Sequence, residues 1–158
     1  MLALGGNLGD RGANLRAGVA SLRAAGLETL HFSSVWETEP VPADQPAYLN
    51  AVLLGETDLE PGDLLTALQE IETSLGRRPS RRWGPRPIDI DILFFDELEL
   101  ESATLTIPHP RIAERQFVLA PLAEVITGPL PVLGVTAATL LARLPSAGLL
   151  ERTAEVLD

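Results

Sequence analysis

The sequence predicts an α+β chain: a ferredoxin-like βαββαβ antiparallel sheet with helices packed on one face, plus a short C-terminal helical extension. Two observations carry that reading. Apolar residues recur at helical spacing in two separate segments, and each segment is flanked by short runs rich in strand-forming residues. The resulting order is strand, helix, strand, strand, helix, strand. A chain of 158 residues, 46% of them hydrophobic, can bury one core, and no repeat, low-complexity segment or linker divides it. Residues 1–158 are expected to form a single domain.

Leu2-Ala3-Leu4 reads as a short first strand that runs into Gly5-Gly6-Asn7-Leu8-Gly9. Asp10 is placed to cap a helix reaching to about Gly26, with Leu15, Val19 and Leu22 on one face. Residues 27–37 read as a strand, a proline-rich loop follows from Glu39 to Pro46, and Tyr48 to Leu54 read as a second long strand. The clearest helix comes next: Pro61 stands near its start, Leu64, Leu68, Ile71 and Leu75 repeat along one face, and Gly76 ends it. From Ile88 to Phe95 the pattern alternates strictly. Ile88, Ile90, Ile92 and Phe94 point one way; Asp89 and Asp91 point the other, with Leu93 and Phe95 continuing their side. Leu98 to Leu100 read as a short returning hairpin strand. Beyond Pro108 prolines punctuate the chain, with helical patches at 111–115, 117–125 and 137–144.

Composition removes whole classes of chemistry. There is no cysteine, which excludes disulfides, thiolate nucleophiles and cysteine-ligated metals. Two histidines, His31 and His109, are too few for a three-histidine metal site. All twelve cationic side chains are arginine, so a lysine-dependent P-loop and lysine Schiff-base chemistry are excluded as well. A net charge of −10 argues against a nucleic-acid-coating protein. No apolar run reaches the roughly 18–20 residues that span a bilayer, and the first residues do not read as a signal peptide. The expectation is a soluble, cytoplasmic, monomeric protein with small-molecule partners.

Three constellations remain. Asp89 and Asp91, two apart on a strand, place two carboxylates on one face, their Cα atoms about 6.5–7 Å apart. That suits a hard divalent cation such as Mg²⁺, which takes one or two carboxylates together with phosphate oxygens and water; read alone, the pair is equally a wet strand face. Arg77, Arg78, Arg81, Arg82 and Arg86 crowd a ten-residue window without an acid, along with Trp83. Forked guanidiniums and an aromatic ring fit a phosphate-gripping lid, or else a basic loop docked on the protein's own acidic surface. Finally, single polar residues stand at suggestive places. His109 lies between two prolines, Tyr48 and Asn50 share a strand face, and Gln69 and Glu72 share a helix face before the arginine loop. Each is also an ordinary turn, strand or helix residue when taken alone.

Taken together, these segments resemble 6-hydroxymethyl-7,8-dihydropterin pyrophosphokinases, folate-pathway enzymes. The matching stretches are Ala3 to Arg11, Asp44 to Ala51, Arg82-Trp83-Gly84-Pro85-Arg86-Pro87-Ile88-Asp89-Ile90-Asp91-Ile92, and Pro108-His109-Pro110 followed by Arg115-Gln116-Phe117. The resemblance implies transfer of pyrophosphate from the co-substrate ATP to a dihydropterin alcohol, with two Mg²⁺ ions held by Asp89 and Asp91. It implies phosphate contacts from Arg77 and Arg86, and a nucleotide site including Gln69, Glu72, Trp83, Ile92, Thr106, His109 and Arg115. The pterin pocket would comprise Thr38, Val41, Tyr48, Asn50 and Phe117, with Asp89 facing the substrate.

Some positions depart from that pattern. Gly6 stands where the family usually has serine, Glu39 where proline is frequent, and Thr104 where some members have arginine. The arginine loop is about one residue short, leaving open whether Arg78 or Arg81 acts as a further loop arginine. Two rivals stay open on the residues alone: another metal-dependent phosphoryl or nucleotidyl transferase, and a non-catalytic ferredoxin-like module.

Overall fold

The structure is a computed structural model that describes residues 1–40, 43–79, 84–145 and 148–157. Strand β1 (Leu2–Gly6) lies between β4 (Tyr48–Glu56) and β5 (Asp89–Ile92) and is antiparallel to both. Strands β2 (Glu28–Phe32) and β3 (Trp36–Thr38) pair with the other edge of β4. Helix α1 (Arg11–Ala24) joins β1 to β2, and α2 (Pro61–Ser74) joins β4 to β5. This is the expected βαββαβ sheet. Its helix start is also the expected one, because the Asp10 carboxylate accepts from the Ala13 N–H at 2.9 Å.

Alternation sorts the sheet into two faces. Leu2 and Leu4, Leu49, Ala51 and Leu53, and Ile90 and Ile92 point towards α1 and α2 and pack with Leu15, Val19, Leu22, Leu64, Leu68 and Ile71. The opposite face carries Ala3, Val52 and Leu93. It is covered by α3 (Gln116–Val125) and α4 (Ala137–Arg143), with Phe94, Leu119 and Leu122 fully buried between them. The C-terminal helical extension therefore supplies a third layer. The expectation of helices on one face holds for the crossover helices α1 and α2, while α3 and α4 lie on the other.

Elsewhere the structure departs from the sequence reading. The strand expected over 27–37 is two pieces, because the register with β4 slips at Thr29/His31 and again before Trp36. Between them, Ser33 replaces a regular ladder contact: its hydroxyl accepts from the Val52 N–H at 2.9 Å. β5 ends at Ile92, so the alternation does not extend to Phe95, which packs with the α1–α2 layer rather than on the aspartate side. The hairpin strand expected at Leu98–Leu100 is instead β6 (Leu100–Glu101), paired with β7 (Thr106–Ile107) in a separate two-stranded ladder. A 3₁₀ turn covers Ile112–Glu114 within the first helical patch. An element absent from the sequence reading, β8 (Leu150–Arg152), adds itself to the free side of β3.

Leu68, 1% exposed, sits where α2 meets the sheet. Leu68→Ala is expected to lower unfolding free energy by about 2–5 kcal/mol while leaving the far-ultraviolet spectrum unchanged, as measured by urea denaturation. A loss below about 1 kcal/mol contradicts this packing.

Candidate active site

The site begins with a row of residues across the sheet. Asp89 stands opposite Gly5, Gly5 opposite Asn50, and Asp91 opposite Ala3. Two small residues thus separate the acidic strand from β4 and leave a hollow. A side chain at Gly5 would place its Cβ 2.7 Å from Asn50 Oδ1, so glycine is what lets the amide lie across β1. The hollow opens into a cleft of about 130 Å³ with Tyr48, Thr38 and Phe117 on its walls and both aspartates at one end. At the other end, Asn50 Nδ2 donates to Thr38 Oγ1 at 2.7 Å, and both residues are buried. The Asn50 amide is thereby oriented before any ligand arrives.

The acidic end is packed with counter-charge. Arg77 reaches Asp89 Oδ1 at 2.7 Å, and Arg86 reaches Asp89 Oδ2 at 3.0 Å. Asp91 is held more loosely, with Arg115 at 3.7 Å and His109 Nε2 at 4.0 Å from its Oδ2. Burial, and then the neighbouring Asp89 charge, push the Asp91 carboxyl above the usual carboxylate range, against His109 and Arg115. Burial lowers the His109 imidazole despite Asp91, and it lowers Arg115 as well. For Arg77, burial pulls downward but Asp89 and Glu72 together carry the guanidinium above its ordinary value.

Glu72 binds this cluster to the fold. It is 5% exposed on α2, accepts from the Ile90 N–H at 2.7 Å between the two aspartates, and pairs with Arg77. Burial raises its carboxyl, against the Ile90 and Arg77 contacts. Its role is thus structural as well as electrostatic: it binds the outer edge of β5, where no further strand pairs among the described residues.

Asn7, which the sequence reading did not single out, ties two loops to the end of β1. It is 2% exposed; its Oδ1 accepts from the Arg86 N–H at 2.9 Å, and its Nδ2 donates to Gln45 and to the Pro46 carbonyl. Beside it, a Cβ on Gly6 would collide with the Pro87 carbonyl oxygen, so the arginine segment approaches β1 against bare backbone. Arg11 likewise joins Glu37 and the Ala47 carbonyl, at 2.7 and 2.8 Å. The only signal for these in the sequence was a Gly-Gly-Asn run closing a strand.

Of the residues picked from the sequence, Thr38, Tyr48, Asn50, Asp89, Asp91, Arg115 and Phe117 line one cleft. Arg77, Arg86 and His109 touch its aspartates, and Glu72 touches Arg77. His109 satisfies both of its readings: Nδ1 accepts from the Arg111 N–H, as a turn histidine does, while Nε2 faces Asp91. Three residues do not join them through their side chains. Ile92 is buried in the α1–α2 layer on the far face, Gln69 is exposed on α2, and Thr106 sits on β7 opposite Glu101. Val41, Trp83 and Arg81 lie outside the described residues.

Comparison with known proteins gives a consistent result. A family described as 7,8-dihydro-6-hydroxymethylpterin-pyrophosphokinase matches residues 1–127. A 2-amino-4-hydroxy-6-hydroxymethyldihydropteridine pyrophosphokinase of Bacillus subtilis is 48% identical over 126 residues, covering 78% of this chain and 75% of that protein. One from Methylorubrum extorquens is 41% identical over 150 residues, covering 94% of each. The mitochondrial folate synthesis bifunctional protein of Pisum sativum is 43% identical over 127 residues, and there the chain spans only 25% of the relative's length. Among solved structures, a Plasmodium falciparum HPPK-DHPS with pteroate superposes with a TM-score of 0.68 at 15% identity, over 90% of this chain and 43% of that one. That likeness is one of fold.

Two expectations follow from the geometry. Gly5→Ala is expected to destabilise the protein by about 1–3 kcal/mol, and most of that loss should vanish in an Asn50→Ala background. Equal losses in both backgrounds, read from urea unfolding, would contradict the crowding. Secondly, His109 in the metal-free protein should titrate below an ordinary imidazole, near 6.5, when followed by NMR. The folded state then binds fewer protons than the unfolded one, so this group's contribution to stability falls as pH drops below about 6.5. A His109 midpoint above 6.5 contradicts that sign.

Proposed function

The chain belongs to the 7,8-dihydro-6-hydroxymethylpterin-pyrophosphokinase family, and from that premise we propose that it transfers pyrophosphate from ATP to the hydroxymethyl group of 6-hydroxymethyl-7,8-dihydropterin, a step of folate biosynthesis. The observation that carries this reading is the polarity of the cleft. One end is a preset amide and hydroxyl between aromatic walls, and the other is a carboxylate pair facing guanidiniums. A flat heterocycle with a donor and acceptor edge fits the first, and a metal–triphosphate fits the second.

In the reaction, the substrate oxygen forms a bond to the β-phosphorus of ATP. The bond from that phosphorus to the α–β bridging oxygen breaks, AMP departs with the bridging oxygen, and the hydroxyl proton is released. Transfer of this kind is accelerated chiefly by alignment and by charge placed against the phosphate oxygens. Asn50, held by Thr38, fixes the ring edge, while Tyr48 and Phe117 bound the ring. Arg77 and Arg86 offset the charge of the β- and γ-phosphates, and Arg115 and His109 stand beside Asp91 to hold the rest of the nucleotide. Tethering of the Arg86 backbone by Asn7 keeps that guanidinium at the mouth of the cleft.

Asp89 and Asp91 are the residues that would hold Mg²⁺, as two ions. The donor set fits: both groups are hard carboxylates, and burial, followed by the charge of Asp89, raises Asp91. Among the described residues no cluster of three or more metal-ligating side chains exists, so the remaining coordination falls to phosphate oxygens and water. Bound there, the metal supplies positive charge that neutralises the phosphates and polarises the attacking hydroxyl. No helix among the described residues is long and apolar enough to cross a membrane, and we place the enzyme in the cytoplasm as a single-domain monomer.

The test is AMP formation from ATP and the dihydropterin alcohol, with and without Mg²⁺. Activity should require both the pterin and the metal, and Asp91→Ala should lose at least about 10³-fold in kcat. Arg86→Ala should lose about 10²-fold. Metal-independent turnover, or an Asp91→Ala enzyme of near-normal rate, would contradict the assignment. Turnover with an unrelated alcohol in preference to the pterin would favour another transferase.

A further inference from the structure

The family match ends at residue 127, yet the chain returns to the sheet at Leu150, beside the pterin end of the cleft. β8 runs antiparallel to β3, with Leu150 opposite Thr38, Glu151 opposite Glu37 and Arg152 opposite Trp36. β3 is only three residues long and carries Thr38, the group that orients Asn50. Without β8, it would be an edge strand held from one side.

The attachment is made at several independent points. The Glu39 N–H donates to the Leu149 carbonyl at 3.2 Å, and the Thr153 N–H donates to the Val35 carbonyl at 2.8 Å. Arg152 lies over the Trp36 ring, 5.2 Å from its centre, and pairs with Glu124 of α3 at 2.7 Å. That same Glu124 accepts from the Ser34 N–H at 2.7 Å, so β8, α3 and the β2–β3 junction meet on one carboxylate. Further on, Glu155 pairs with Arg16 of α1, and Leu157 is buried in the α1–α2 layer at 3% exposure. Leu149 and Leu150 also line a cavity shared with Thr38, Phe117 and Arg115, all three of which face the central cleft.

We propose that the C-terminal segment Gly148–Leu157 is a positioning element of the pterin site: it clamps β3 from its free side, and so sets Thr38 and Asn50 for the ring edge. Beyond the ladder with β3, its hydrogen bonds and ion pairs go to Val35, Glu39, Arg16 and Glu124 rather than to Asp89 or Asp91, where the nucleotide phosphates go, and it nears the acidic end only through the cavity it shares with Arg115. The inference rests on the pterin reading of the cleft given above, and it predicts a selective effect. Loosening this segment weakens pterin binding and spares the nucleotide.

The experiment compares three variants with the full chain. Thr153→Pro removes both the N–H and the hydroxyl that bond the Val35 carbonyl, Thr153→Ala removes only the hydroxyl and keeps the N–H, and a chain ending at residue 147 removes the clamp entirely. Calorimetry measures the binding of 6-hydroxymethyl-7,8-dihydropterin in the presence of a non-hydrolysable ATP analogue, and of the analogue alone. The expected result is a pterin Kd raised about tenfold or more in Thr153→Pro and in the shortened chain, about 1.4 kcal/mol per decade. Thr153→Ala, which keeps the N–H bond to Val35, should raise the pterin Kd by less than about threefold, and the analogue's Kd should stay within about twofold throughout. A pterin Kd that does not move in Thr153→Pro overturns the proposal, as does equal weakening of both ligands. Should the shortened chain fail to fold, Thr153→Pro against Thr153→Ala decides alone. A full-length protein that binds the analogue but no pterin overturns the pterin reading itself; one that binds pterin with unmoved variants overturns only the clamp.

Discussion

Two carboxylates fixed side by side on one face of a strand must find positive charge, and the rest of this site is arranged around that need. At a separation of about 5 Å, two such charges repel by roughly 3 kcal/mol at an effective dielectric near 20. In this structure Arg77 and Arg86 meet the need at Asp89, and Arg115 meets it at Asp91, with the His109 ring beside that carboxylate. Those guanidiniums are the groups that a triphosphate would draw on. On the proposed function, a cation on the aspartates would free these guanidiniums to turn to phosphate.

The fold holds the carboxylates in that relation. Alternation along β5 aims Asp89 and Asp91 away from the core, while Ile90 and Ile92 anchor the strand in it. Glu72 fixes the strand from α2 through the Ile90 N–H, and Gly5 and Ala3 open the hollow that leads from the acidic end to Asn50. The acidic end and the Asn50–Thr38 end are therefore parts of one sheet face, three strands apart at most. Such a surface can align an alcohol with a phosphorus without any large rearrangement of backbone.

Much of this was legible in the sequence because the relevant signals are periodic. The Ile-Asp-Ile-Asp-Ile alternation assigned the faces of β5 correctly, the Leu64–Leu68–Ile71 spacing assigned the buried face of α2, and Asp10 marked the start of α1. The arginine-rich segment points either to a bound anion or to the protein's own acids, and in the structure Arg77 and Arg86 meet Asp89. What stayed hidden depends on contacts between distant segments. Asn7 is unremarkable in a glycine-rich turn until Arg86 and Pro46 come to it from 79 and 39 residues away. The break between β2 and β3 reflects register slips against β4, and β8 follows a stretch with no strand pattern and pairs only because β3 offers a free edge. Ile92 shows the reverse case: its position belongs to the recognised pattern, but its side chain lies in the core.

The central claim is that cation and triphosphate are bound by exchange at Asp89 and Asp91, and it is tested most directly by calorimetric titration of the full chain with ATP in the presence and absence of Mg²⁺. The account predicts that removing the metal weakens ATP binding by at least about tenfold, and that Asp89→Asn largely abolishes the difference between the two titrations. Equal ATP affinity with and without Mg²⁺ in the unmodified protein would contradict it.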